Sequence, residues 1–212
     1  MDVKGWLERC PLVAILRGIQ PAEAEPICSA LEQAGVCIVE VPLNSPNPLE
    51  SISVLSRAFG NRMLIGAGTL TKASQVGEVQ AAGGKLIVTP HADTAIVRAA
   101  KQAGLVAIPG FFNPTEAFAL LDAGADAIKL FPAEVLGPPM LKALRAVLPQ
   151  SAMVIPVGGV GPAQVAPWLD SGAKGLGVGS SLYKPGDNAA AVTAKARALL
   201  DALDACEGKR WA

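Results

Sequence analysis

The chain is poor in histidine, aromatics and charge. One histidine, His91, stands in 212 residues. A histidine-built zinc site or a Cys–His nucleophile is therefore excluded as the main chemistry. The four cysteines, Cys10, Cys28, Cys37 and Cys206, have no C-x-x-C spacing. No metal or organic cofactor is expected. Neither sign of charge is in surplus: 18 Lys and Arg balance 18 Asp and Glu. Without a basic excess there is no counterion release to drive nucleic-acid binding. Charged residues make up 17% and hydrophobic ones 51%, which argues against disorder.

Membrane and export signals are lacking too. The opening MDVKGWLERC carries charges where a leader would need an apolar stretch. The longest uncharged run, Ala146 to Leu169, is interrupted by Pro149, Pro156, Pro162 and Pro167 and by Gly158, Gly159 and Gly161. Such breakers rule out a spanning helix. The expectation is a soluble, cytoplasmic protein with reduced cysteines.

What the chain does have is a repeating punctuation. Eight short apolar runs recur: Leu12–Gly18, Ile38–Leu43, Leu64–Leu70, Leu86–Pro90, Val106–Gly110, Ala127–Pro132, Val154–Gly159 and Gly175–Ser180. They are continuous rather than alternating, as parallel strands covered on both faces require. Helical patterns fill the gaps. Ile27, Ala30, Leu31 and Ala34 form one apolar stripe, and Met140, Leu144 and Val147 form another. Asn113-Pro114-Thr115-Glu116 offers an N-cap, a proline at the first helical position and a glutamate at the third. The end markers Gly35, Gly60, Gly83, Gly104, Gly124, Pro149 and Gly172 lie 20 to 25 residues apart. One strand plus one helix fits that period, and glycine suits the left-handed position after a helix.

Eight such units predict an α/β fold, a (β/α)8 TIM barrel formed by a single domain over 1–212. A helical extension is expected over about 1–11 and a frayed tail over about 205–212. An open doubly wound sheet is the other arrangement that eight strands allow.

In a barrel of this kind chemistry sits at the C-terminal ends of the strands. Arg17, Glu40, Thr69 and Lys129 stand there, inside otherwise apolar runs. A buried charge needs a partner or a purpose. Lys129 and Glu40 could simply form an ion pair. Alternatively, desolvation and a nearby cation such as Arg17 would free the Lys129 amine to attack a ketone, while burial would push Glu40 toward a working acid and base. Arg17 is open as a surface cation or an anion anchor, and Thr69 as a turn residue or a ligand contact. Gly158-Gly159-Val160-Gly161 and Gly177-Val178-Gly179-Ser180 end the last two runs. They are turn glycines or, together, a phosphate cradle of backbone N–H groups. His91, after Pro90, reads as a rim or helix-start residue.

Taken together, AILRG (Ala14–Gly18), AGVCIVEVPLNSP (Ala34–Pro46), IGAGT (Ile65–Thr69), LIVTP (Leu86–Pro90), PG…TEAF (Pro109–Phe118), IKLFPAE (Ile128–Glu134), VGGV (Val157–Val160) and GVGSSLY (Gly177–Tyr183) resemble the class I aldolases that cleave 2-keto-3-deoxy-6-phospho-sugar acids. The likeness runs from about Pro11 to Leu203. It implies a TIM barrel, a homotrimer and a phosphorylated keto-acid substrate, with Lys129 forming the Schiff base and Glu40 shuttling protons. It also implies substrate contacts from Arg17, Thr69, Gly159, Gly161, Gly179 and Ser180. Pro90 and Phe131, inside two of the motifs, are taken with them. Within the family EVPLNSP resembles the 6-phosphogalactonate branch, because the 6-phosphogluconate branch tends to carry arginine where Asn44 stands. Phe131-Pro132-Ala133-Glu134 is nearer the gluconate type, and Phe111-Phe112-Asn113 is unusual for either. A phosphosugar epimerase or isomerase using the same cradle is the rival activity, and a non-catalytic scaffold is the rival of another class.

Overall fold

The computed structural model describes residues 2–206. Helix α1 (Val3–Arg9) precedes strand β1 (Leu12–Ile15). Then come α2 (Pro21–Ala34), β2 (Ile38–Pro42), α3 (Pro48–Phe59), β3 (Leu64–Gly68), α4 (Gln75–Ala81), β4 (Leu86–Val88) and α5 (Thr94–Gln102). The second half has β5 (Val106–Ile108), β6 (Gly110–Phe111), α6 (Pro114–Asp122), β7 (Ile128–Leu130), α7 (Ala133–Arg145), β8 (Val154–Pro156), α8 (Val165–Asp170), β9 (Leu176–Val178) and α9 (Ala189–Asp204).

All strand pairs are parallel. The strands are buried almost throughout, which is why they read as unbroken apolar runs. They form two sheets rather than one: β5-β4-β3-β2-β1-β9 and β6-β7-β8. The fifth run supplies both β5 and β6. Pro109 divides it, since proline has no N–H for the ladder; β5 pairs with β4, and β6 with β7. At the other junction one bridge, Val157 to Gly177, joins the end of β8 to β9, and Lys174 N donates to Val154 O.

Helix α1 lays Leu7 against Gly175, where an added Cβ would come 2.8 Å from the leucine side chain. Val3 and Leu7 are buried, and burying such a side chain is worth roughly 1.5–3 kcal/mol. At the far end, Ala205 and Cys206 close α9 instead of fraying, and Cys206 is buried. The rest of the expected tail, 207–212, lies outside the described residues.

The helix punctuation is mostly as anticipated. Gly35, Gly83, Gly104, Gly124 and Gly172 all take positive φ. Gly60 does not. Its φ is −60°, and an added Cβ would sit 2.4 Å from Ser56 O, so close approach and not handedness calls for glycine there. Asn113 caps α6 as expected, accepting from Glu116 N at 3.0 Å. The stripe Met140, Leu144, Val147 fails at its end: α7 stops at Arg145 and Val147 is exposed. The helix is also kinked at Gly137, φ 69° and ψ 164°.

Two glycines of β3 make room for neighbours. An added Cβ at Gly66 would lie 2.0 Å from Leu86 O on β4, and one at Gly68 would lie 1.7 Å from Glu40 Oε2 on β2. Gly66→Ala should force β3 and β4 apart and cost about 1–3 kcal/mol. The control is Gly77→Ala on α4, where nothing stands within 4 Å, and helix propensity makes that change neutral or favourable by up to ~1 kcal/mol. Thermal unfolding should separate the two; equal Tm values would refute the close approach as the reason for glycine at 66.

Candidate active site

Lys129 is the middle residue of β7, in register with Gly110 on β6 and Ile155 on β8. Apolar Ile128 and Leu130 flank it, and its own side chain is 5% exposed. Glu40, the centre of β2, is 1% exposed. Its carboxyl rests over Gly68, and its Oε2 has no hydrogen-bond partner. Both groups belong to otherwise apolar segments, so the fold carries them inward with their strands.

The structural ion pair entertained for these residues is not formed: among the described residues no Lys129–Glu40 contact falls within 4.0 Å. Two charges buried without contact would lose far more hydration energy than their mutual attraction returns. Each is driven toward its neutral form. Burial pushes the Glu40 carboxyl up to about 7, against the pull of Lys129 and Arg17. Burial lowers the Lys129 ammonium, with Arg17 adding to the effect and Glu40 opposing it. The Phe131 ring centroid lies 4.8 Å from Lys129 Nζ. What results is a carboxyl that keeps its proton toward neutral pH and an amine shifted toward its neutral form, the states that acid–base and nucleophilic catalysis use.

A cavity of about 210 Å3 opens between the C-terminal ends of β1, β7, β8 and β9, and its Phe131 is the ring that stands by Lys129 Nζ. Arg17, Phe131, Gly159, Gly179 and Ser180 line it together. Five of the ten residues singled out in the sequence therefore meet there. Gly158, with φ 116°, precedes Gly159, with φ 64°, and lines the same wall. Successive glycine amides in such a bend form an anion-binding concavity.

The other candidates are placed differently. Gly161 turns its N–H to Gln164 Oε1 at 3.1 Å and does not line the cavity. The glycine pair on the cavity wall is thus Gly158–Gly159; the local helix-start bond could not be read from G-G-V-G alone. Thr69 follows Gly68 with φ 60°, a strained conformation for a β-branched residue of the kind found at functional sites. Pro90 lies at the end of β4 against Gly110, the register partner of Lys129. Thr89 braces that corner, accepting from Gly110 N at 3.0 Å and donating to His91 O at 2.5 Å. His91 itself is exposed at the rim.

Sequence reasoning missed Glu134, whose carboxylate hangs over the Gly158–Gly159 bend: an added Cβ on Gly159 would come 2.8 Å from its Oε2. It also missed Gly68, whose spacing two residues after Gly66 on one face was the available signal. A larger cavity, about 610 Å3, is lined by Lys4, Arg145 and Lys174 near the N-terminal ends of β8 and β9. It is remote from the buried pair and takes no part in this site.

The raised Glu40 value gives a stability test. Below about 4.5, the ordinary value, Glu40 is protonated folded or unfolded. As pH rises toward about 7 the unfolded chain releases this proton while the folded one holds it, so the folded state loses stability through that window. Glu40→Gln should remove that loss, gaining a few degrees in Tm at pH 7.5 relative to wild type and little at pH 4.5. A Tm difference independent of pH would contradict it.

Comparison with known proteins agrees with this chemistry. The chain is 46% identical over 198 residues to the probable 2-dehydro-3-deoxy-6-phosphogalactonate aldolase of Rhizobium meliloti (strain 1021), covering 93% of both chains. It is 44% identical over 197 residues to the 2-dehydro-3-deoxy-6-phosphogalactonate aldolase of Escherichia coli (strain K12), covering 93% of this chain and 96% of the other. A solved structure described as native KDPGal superposes with a TM-score of 0.91 at 44% identity, over 93% of this chain and 96% of that one. The family model for KDPG and KHG aldolase matches residues 3–195. A buried lysine and glutamate in a fold that also carries a glycine-lined cavity, together with these matches, make the chain an aldolase, and it belongs to the KDPG and KHG aldolase family.

Proposed function

We propose that this aldolase cleaves 2-dehydro-3-deoxy-6-phosphogalactonate reversibly to pyruvate and glyceraldehyde 3-phosphate through a Schiff base on Lys129. The observation that carries the reading is the burial of Lys129 and Glu40 on strands of the two sheets without an ion pair. The neutral Lys129 amine adds to the C2 ketone, and Glu40 donates the proton that lets hydroxyl leave as water. The iminium is the electron sink. The C3–C4 bond breaks as Glu40, now a carboxylate, removes the C4 hydroxyl proton directly or through a water, releasing the aldehyde. The enamine takes a proton at C3, and water hydrolyses the imine to free pyruvate. The sequence of steps calls on no metal or organic cofactor.

The remaining roles follow from placement. Gly158, Gly159, Gly179 and Ser180 receive the phosphate on backbone and hydroxyl donors, and binding energy from that remote end positions the reacting carbon. Arg17 contributes the one cation of the cavity wall among the described residues, Phe131 walls the amine, and Thr69 and Pro90 frame the ends of β3 and β4. The galactonate substrate is supported by the names of the 44–46% identical relatives and by asparagine at 44.

The same reading treats 1–212 as one domain whose two sheets make a single (β/α)8 barrel. Its support is the shared run through Pro109 and the Val157–Gly177 bridge. A homotrimer in the cytoplasm completes it. Exposed Phe112 and Phe118 offer apolar surface for a second copy, and no helix among the described residues is long and apolar enough to cross a membrane.

Borohydride added with pyruvate should reduce the imine and leave on Lys129 the mass of pyruvic acid less one oxygen. An unmodified lysine, or a fully active Lys129→Ala variant, would refute the Schiff base. Glu40→Gln should fold and lose kcat by roughly 10²–10⁴-fold; near-normal turnover would remove Glu40 from the mechanism. Comparing kcat/KM for the galacto and gluco substrates tests the branch: a gluco preference overturns the substrate and leaves the chemistry standing.

A further inference from the structure

Arg17 is exposed, and a long cationic side chain on a loop has no fixed place unless something holds it. Here its Nη1 donates to Asn44 Oδ1 at 2.9 Å. The next residue along, Gly18, donates its N–H to Ser45 Oγ at 2.9 Å. Two adjacent residues after β1 are thus tied by two adjacent residues after β2. Gly18 has φ +81°, and an added Cβ would stand 2.8 Å from Pro185 Cγ, so the loop after β9 closes on the same corner. The three loops brace one another around the arginine.

We infer that Asn44 is a positioning residue: its side-chain oxygen holds the Arg17 guanidinium on the wall of the glycine-lined cavity, where it meets the substrate's phosphate. The inference rests on the aldolase reading for its substrate, and on the Arg17–Asn44 and Gly18–Ser45 bonds for its geometry. Asparagine suits the task for a chemical reason. Arginine has only donors, so the atom facing it must be an acceptor. An amide oxygen accepts without adding charge. An aspartate would accept as well but would cancel the cation, and an arginine at 44 would repel it.

The charges facing Arg17 make its placement consequential. Lys129 and Glu40 both respond to it. Glu134 borders the same cavity, and Lys184 lines the adjoining one with Arg17 and Ser180. Removed from its tether, the guanidinium can swing toward bulk water or toward Glu134. Either movement weakens the anion site and relieves the repulsion on the Lys129 ammonium.

Three measurements test this. Inorganic phosphate, titrated by calorimetry, reads the cradle without turnover. Asn44→Ala should weaken its binding about three- to tenfold, the worth of one hydrogen bond to a charged group in a partly exposed place. Asn44→Asp, which keeps the bond and cancels the charge, should weaken it at least as much. In the pyruvate–borohydride reaction both variants should need a higher pH for half-maximal trapping, a shift that a loop merely loosened would not give. In steady state Asn44→Ala should raise KM for the phosphorylated substrate more than it lowers kcat. Phosphate affinity and trapping profile unchanged in Asn44→Ala, or Asn44→Asp matching wild type, would overturn the assignment. A wild-type protein that pyruvate and borohydride leave unlabelled would instead sink the aldolase reading, and the phosphate titration would still decide whether Asn44 positions Arg17.

Discussion

Water exclusion around two ionisable side chains is the constraint on which the rest of this molecule depends. Lys129 and Glu40 ride inward on strands that are apolar on either side of them, and neither finds an ion-pair partner in the other. In bulk water at neutral pH one would be a cation and the other an anion, a useless pair for adding an amine to a ketone. Taken out of water, both lean toward neutrality. The parallel strand arrangement supplies that environment because both faces of every strand are covered.

Steric economy in the neighbouring strands makes the environment possible. Gly68 gives the Glu40 carboxyl its seat, and Gly66 lets β3 approach the β4 backbone. On the other side, Pro109 ends one sheet and starts the next, so that Gly110 stands in register with Lys129. The strand that carries the amine thereby belongs to a different sheet from the strand that carries the carboxyl.

The rim is built on different physics. There the groups are exposed or half-exposed, and loop geometry rather than desolvation fixes them. Gly158 and Gly159 bend the chain with positive φ, Gly179 and Ser180 follow the last strand, and Asn44 and Ser45 tie down the Arg17 corner. Glu134 adds a negative charge to the same wall, which means that the cavity is polar in both senses and not a simple positive funnel.

Much of this was legible in the linear text. Continuous apolar runs every 20 to 25 residues announced parallel strands and helices, and a lysine and a glutamate inside two of those runs stood out because burial of charge is costly. The helix ends at Gly35, Gly83, Gly104, Gly124 and Gly172 followed from glycine's tolerance of positive φ. Residue type and spacing failed where backbone geometry decided the matter, even between near neighbours: Gly60 is needed for its approach to Ser56 O, Gly161 spends its N–H on Gln164, and Val147 falls beyond a helix that its spacing would have continued. What the amino-acid order determined by itself was the alternation of elements and the identity of the costly residues, since both follow from nearest-neighbour chemistry. Only the tertiary structure decided that Lys129 and Glu40 approach without pairing, that the carboxyl lies over Gly68, and that Arg17 is held by Asn44. Each of those is a relation between segments more than 20 residues apart, and strand register, which no local pattern encodes, sets which atoms meet.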